Sequence, residues 1–93
     1  MRVGVCCVEL FINGSSSLKD RRRVVDSVKQ RLRNRFNVSV AELSEDSQWQ
    51  RGRLGISCVA RDEQSVESLL HQVLEFIEND DRVEVTDWLF EIY

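Results

Sequence analysis

Proline is absent from this 93-residue chain, glycine occurs four times and histidine once. No low-complexity tract or internal repeat interrupts it, so one core is expected to carry residues 1–93 as a single domain. No run approaches the roughly 18 apolar residues that a membrane span needs, which argues against an integral membrane protein. The start, Met1-Arg2-Val3-Gly4-Val5, moves straight into a strand pattern without a signal-peptide apolar region, and a cytoplasmic location is expected. Three cysteines, an odd number without CxxC spacing, argue against both a disulfide framework and a zinc site. With 42% hydrophobic and 31% charged residues, the composition is that of a globular domain and not of a disordered chain.

The net charge of −3 conceals a strong asymmetry. Residues 19–35 hold eight Lys/Arg against two Asp, whereas residues 62–93 hold one Arg against ten acids. The first segment is +6 and the second −9, with the remainder neutral. The chain is a charge dipole, and inferences about partners start from it.

Arg2 to Ile12 has strand composition, with Gly4, Cys6, Val8, Leu10 and Ile12 on one set of alternate positions. Asn13 to Ser17 is a turn cluster, and Ser17-Leu18-Lys19-Asp20 is a short-armed capping box. The helix it opens is expected to reach about Arg35, with Leu18, Val25, Val28 and Leu32 as its apolar stripe. Phe36 to Leu43 alternates as a half-buried strand, Ser44 to Gln50 is a polar loop, and Arg53 to Ala60 resumes as a strand. Asp62 is an N-cap for a second amphipathic helix that Asn79-Asp80-Asp81 ends. Arg82 to Tyr93 is a last strand whose apolar phase changes near Thr86-Asp87, so either a bulge sits there or both faces are covered.

The order βαββαβ predicts an α+β ferredoxin-like sandwich: a four-stranded antiparallel sheet with both helices on one face. Strands one and three are expected at its centre, two and four at its edges. Val3, Val5, Cys7 and Phe11, joined by Val59, then face away from the helices. That is more apolar surface than a small monomer usually leaves wet, and a second copy of the chain is its simplest cover. A homodimer through the outer sheet face is therefore expected.

The first helix carries the strongest binding signal. At 100° per residue Lys19, Arg22, Lys29 and Arg33 share one exposed quadrant with Arg23 at its margin, a stripe able to follow a phosphate backbone. Arg31 and Arg35 flank the opposite side. Arg21 lies beside the apolar stripe, where its stem can pack while its guanidinium reaches water. The competing reading is a solvated face neutralised by Asp20, Asp26 and the acidic C-terminal third. Trp49 and Arg51, in Trp49-Gln50-Arg51-Gly52-Arg53, form a stacking-and-phosphate combination seen in single-strand binders, or else seal the sheet end or a subunit interface. The segment beginning Arg51-Gly52 lacks the stacking aromatics of an RNA recognition motif.

Ser15, Ser16 and Ser17 place three hydroxyls at a helix start, which serves either as an anion site or as a plain capping turn. The spacing is not that of a Walker A loop. His71 lies four residues from both Glu67 and Glu75, which predicts surface pairing. Cys6 and Cys58 are expected in the core and Cys7 outside it. The neighbouring acids Glu45/Asp46 and Asp80/Asp81 fall in turns and define no acid–base pair. No catalytic residue, metal site or cofactor is expected, and the chain is read as a non-enzyme.

Three runs are specific together: Gly14 to Arg23, Leu32 to Glu42, and Trp49-Gln50-Arg51. Through them the chain resembles the YlxP-like family of small bacterial proteins of unknown function over essentially its whole length. The matching positions are Ser17, Leu18, Lys19, Arg22, Arg23, Arg33, Arg35, Phe36, Asn37, Trp49, Gln50 and Arg51, while Cys7 and Phe11 stand where polar residues are expected. The resemblance implies a ferredoxin-like fold. It also implies a link to RNA or the ribosome, because such proteins are often encoded near translation and ribosome-maturation factors. It implies no catalytic residue and no cofactor. Two functions follow as expectations: an accessory protein on ribosomal or other RNA, or a homodimeric protein-interaction module with no nucleic-acid role.

Overall fold

In the computed structural model, which describes residues 1–44 and 49–93, the longest strand is β1, Arg2–Ile12, and the rest of the fold is arranged around it. It is followed by α1 (Leu18–Arg35), β2 (Ser39–Glu42), β3 (Arg51–Ala60), α2 (Glu63–Glu78) and β4 (Val83–Ile92). The sheet order is β2-β3-β1-β4, with every neighbouring pair antiparallel. The α+β ferredoxin-like arrangement expected from the element order is the one observed.

Strict alternation sets the two faces of β1. Gly4, Cys6, Val8, Leu10 and Ile12 are buried against the helices, while Val3, Val5, Cys7, Glu9 and Phe11 are half-buried on the other side. In β3, Leu54, Ile56 and Cys58 continue the inner face, and Val25, Val28 and Leu32 of α1 with Val66, Leu70 and Val73 of α2 close over it. At Gly4 α2 lies close against the sheet. A Cβ there would collide with Val66 Cγ1 and lie 3.0 Å from Leu70 Cδ1. Gly14, at φ 69°, makes the left-handed turn that leads β1 into α1.

Both helix starts follow their capping residues. The Ser17 and Asp62 side chains accept from the N–H groups of Asp20 and Ser65, at 3.1 and 2.8 Å. The phase change in β4 is a bulge: Glu9 pairs with Asp87 but Leu10 pairs with Val85, which leaves Thr86 as the extra residue. The bounds of the second strand and one stripe position differ from expectation, and β3 starts at Arg51, two residues earlier than expected. The second strand is Ser39–Glu42, because Phe36 caps α1 and turns edge-on to Phe76 at 5.5 Å instead of joining the sheet. Leu18 is exposed, and Arg21 holds its expected place on the buried stripe of α1. Glu45 and Asp46 lie outside the described residues. Among the described residues no helix is long and apolar enough to cross a membrane.

Candidate nucleic-acid interface

The buried stripe of α1 is Arg21, Val25, Val28 and Leu32. Turning 100° per residue from it, Arg22, Lys29 and Arg33 fall on one flank, and Arg31 and Arg35 on the other. Two contacts identify the flanks. Arg33 donates to the Val40 carbonyl of β2 at 2.8 Å, while Arg31 meets the Asp80 carboxylate at 3.3 Å and lies over the Phe76 ring of α2. The Arg22–Lys29–Arg33 flank therefore borders the β2 edge, and the Arg31 flank borders the acidic second half of the chain. Lys19 and Arg23 project between them, away from the sheet, and both are exposed.

Several of these cations have local duties. Lys29 lies 3.6 Å from Asp26, one turn earlier. The Leu43 N–H donates to the Arg53 carbonyl, so alternation turns the Val40 carbonyl toward the free edge of β2, where Arg33 covers it. Lys19, Arg22 and Arg23 crowd the first two turns of α1, where positive charge opposes the helix dipole and only Asp20 offsets it in the first turn. For Lys19 and Arg23, both exposed, the helix dipole gives no reason for that placement.

Arg21 corrects the expectation that its guanidinium reaches water. The residue is 1% exposed; Nε donates to the Arg51 carbonyl at 2.8 Å, and Nη2 meets Glu42 and Ser44 at 2.5 and 2.8 Å. This buried fork ties the first turns of α1 to the start of β3 and to β2. Trp49, two residues before Arg51, is 49% exposed. The Arg51 side chain goes elsewhere. It lies over the Phe11 ring at 5.9 Å on the outer face of the sheet, with the sheet between it and α1. The structure thus gathers Lys19, Arg22, Arg23, Lys29 and Arg33 on one side, with Lys29 only partly exposed and not fully so as expected, and separates Arg51 from them.

At the start of α1 the serines are engaged locally. Ser15 Oγ donates to the Ser17 carbonyl at 3.2 Å, Ser17 Oγ caps Asp20, and the Ser16 hydroxyl and N–H both donate to Asp20 Oδ2. These bonds, from the Ser16 side chain first, hold the Asp20 carboxyl below its ordinary value. The anion at this helix end is the chain's own.

Sequence reasoning missed two features. Glu42 sits on the inward phase of β2, two residues after Val40, and Arg21 sits four before Val25 on the inward phase of α1. An opposite charge on each buried stripe was the available signal. His71 is exposed, but its ring meets Phe90 at 5.0 Å and Trp88 at 6.5 Å, an edge-on cluster that neither residue's local pattern announces. Burial pushes the Cys6 thiol up to about 12, with Cys7 and Cys58 adding to the effect, so Cys6 is no nucleophile. Among the described residues no group of three or more His, Cys, Asp or Glu side chains could hold a metal ion.

Comparison by sequence groups this chain with known proteins. A family model described as a protein of unknown function (DUF503) matches residues 3–89. The uncharacterized protein YlxP of Bacillus subtilis (strain 168) is 34% identical over 84 residues, which is 90% of this chain and 91% of that protein. A match from the first strand into the last, with a relative of nearly equal extent, places this chain in the DUF503 family of proteins of unknown function.

Proposed function

We propose that this protein is a non-catalytic, cytoplasmic accessory factor that associates with RNA through the exposed side of α1. Lys19 and Arg23 contact phosphates there, Arg22, Lys29 and Arg33 border the track on the β2 side, and the exposed Trp49 offers a stacking surface. The observation that carries this reading is the division of α1 into two flanks. Arg31 engages the acidic C-terminal part through Asp80, while Arg22, Lys29 and Arg33 border β2 instead. The −9 of residues 62–93 therefore lies on the far side of α1 from the cationic track. Lys19 and Arg23, both exposed, lie against the helix dipole, which supports a role for these two outside the fold. Arg51, on the opposite face of the sheet, is not part of this track.

Immobilised protein incubated with bacterial lysate tests the reading. Ribosomal or other RNA is expected on the resin, lost after ribonuclease treatment and lost for Lys19→Glu with Arg23→Glu. Retention of the same proteins after ribonuclease, with no RNA at any stage, would identify a protein-interaction module instead.

A further inference from the structure

The sheet face turned away from both helices is a second surface, distinct from the cationic track. Its middle column is Val3, Val5, Cys7, Glu9 and Phe11 of β1. The register sets Val59, Ser57, Gly55, Arg53 and Arg51 of β3 beside them on one side. Tyr93 stands opposite Val3 on the other side, and Glu91, Leu89, Asp87 and Glu84 follow it down β4. Val59, Leu89 and Tyr93 are each more than half exposed, at 54%, 58% and 65%. Leu43, likewise exposed, lies across Gly55, with its Cδ1 2.9 Å from where a Cβ would sit. The first and third rows are thus apolar, the second sets Ser57 and Glu91 on either side of Val5, and the lower rows are divided by charge: Arg53 and Arg51 on β3, Asp87 and Glu84 on β4.

We infer that this face binds a second copy of the chain, sheet against sheet, about a twofold axis parallel to β1. The inference is independent of the RNA reading. Two twofold axes can bring the face against itself, and the charges distinguish them. An axis across the strands sets each column on its own copy and lays Asp87 of β4 against Glu91 of the same strand in the second copy. An axis along β1 exchanges the outer columns and keeps the rows. Arg53 then faces Asp87 of the second copy, Arg51 faces Glu84, and Val59 faces Tyr93. Leu89 meets the Leu43 that covers Gly55, while Val3, Val5 and Cys7 meet their own counterparts. The Glu9 carboxylates also approach each other, and each is already held by its own Arg53 at 2.7 Å.

The face is the size of a weak, reversible contact. Three strands, β3, β1 and β4, at about 4.8 Å and ten residues at about 3.3 Å give ~480 Å² on each copy, about 950 Å² in total, the range of weak or transient interfaces. Aligned sheet packing of this kind separates the two sheets by about 10 Å.

Sedimentation equilibrium from micromolar to submillimolar concentration tests the inference on the full chain. The wild type is expected to dimerise, and Arg53→Glu or Asp87→Arg alone to weaken the dimer by about tenfold or more. An equimolar mixture of those two variants is expected to restore it, because each copy then meets the opposite charge. That recovery requires both variants to be folded. Cys7 lies on the axis while Cys6 and Cys58 are buried, so a short bismaleimide is expected to cross-link the wild type and not Cys7→Ser. A wild type that stays monomeric, a dimer indifferent to both charge reversals, or a dimer without the Cys7 cross-link overturns the inference.

Discussion

Arg21 and Glu42 form a buried ion pair, 2.5 Å between Nη2 and Oε2, with side chains 1% and 13% exposed. The pair joins α1 to an edge strand only four residues long, and the same guanidinium holds the Arg51 carbonyl where β3 begins. Arg21→Met strands a carboxylate and a carbonyl in a mostly dry site. We expect it to cost about 3 kcal/mol in urea denaturation. Arg21→Met with Glu42→Leu should recover most of that loss, because an apolar pair needs no partners. A cost below about 1 kcal/mol for the single variant contradicts the structural role assigned to this fork.

Gly4 sets how closely α2 approaches the sheet. The methyl of Gly4→Ala would meet the stiff, β-branched Val66 and lie 3.2 Å from Cys58 Sγ, so the helix must move outward. A destabilisation of about 1–3 kcal/mol is expected, partly relieved by Val66→Ala in the same chain. Equal stability of Gly4→Ala and wild type would show that α2 packs less tightly than described.

The architecture was legible because its signals are local and periodic. Alternation in β1 and β3, the caps Ser17 and Asp62, and the phase slip at Thr86 all lie within a few residues of what they specify. What escaped depends on distance in sequence. Arg21 is satisfied by groups 21, 23 and 30 residues away, so its own stretch of helix suggested a snorkelling arginine. Phe36 looked like a strand residue because its partner, Phe76, lies on the other helix. Arg51 looked like part of the cationic track, yet alternation along β3 sends its side chain to the face of the sheet turned away from α1. The cationic residues of α1 were visible from the start, whereas their segregation from the acidic third required the register of β2 and the position of Asp80.

Acid stability should report on Asp80. Its carboxyl is held below the ordinary range, first by the side-chain hydrogen bond from Arg82, with the Arg82 backbone and the charges of Arg82 and Arg31 adding to it. A carboxyl with a depressed folded value stabilises the fold above its unfolded value of about 3.9 and loses that contribution as pH falls through the folded value. The urea midpoint should hold from neutrality to about pH 4 and drop below it. Asp80→Asn should lower the midpoint at neutral pH, and the gap from wild type should close in acid. The residual acid sensitivity belongs to carboxyls such as Asp62, which its bond from Ser65 also lowers. A gap of constant size across the titration would contradict the pairing.

The most direct test of the account is the affinity of the intact protein for a fluorescently labelled structured RNA, measured by anisotropy at low and moderate salt. With about four phosphate contacts from α1, affinity should fall about 100-fold between 50 and 200 mM salt. Lys19→Glu with Arg23→Glu should abolish binding while leaving the fold and its stability nearly unchanged, since both side chains are exposed. Binding that ignores salt, or that survives this double charge reversal at wild-type strength, contradicts the claim that the outer side of α1 is an RNA-binding surface.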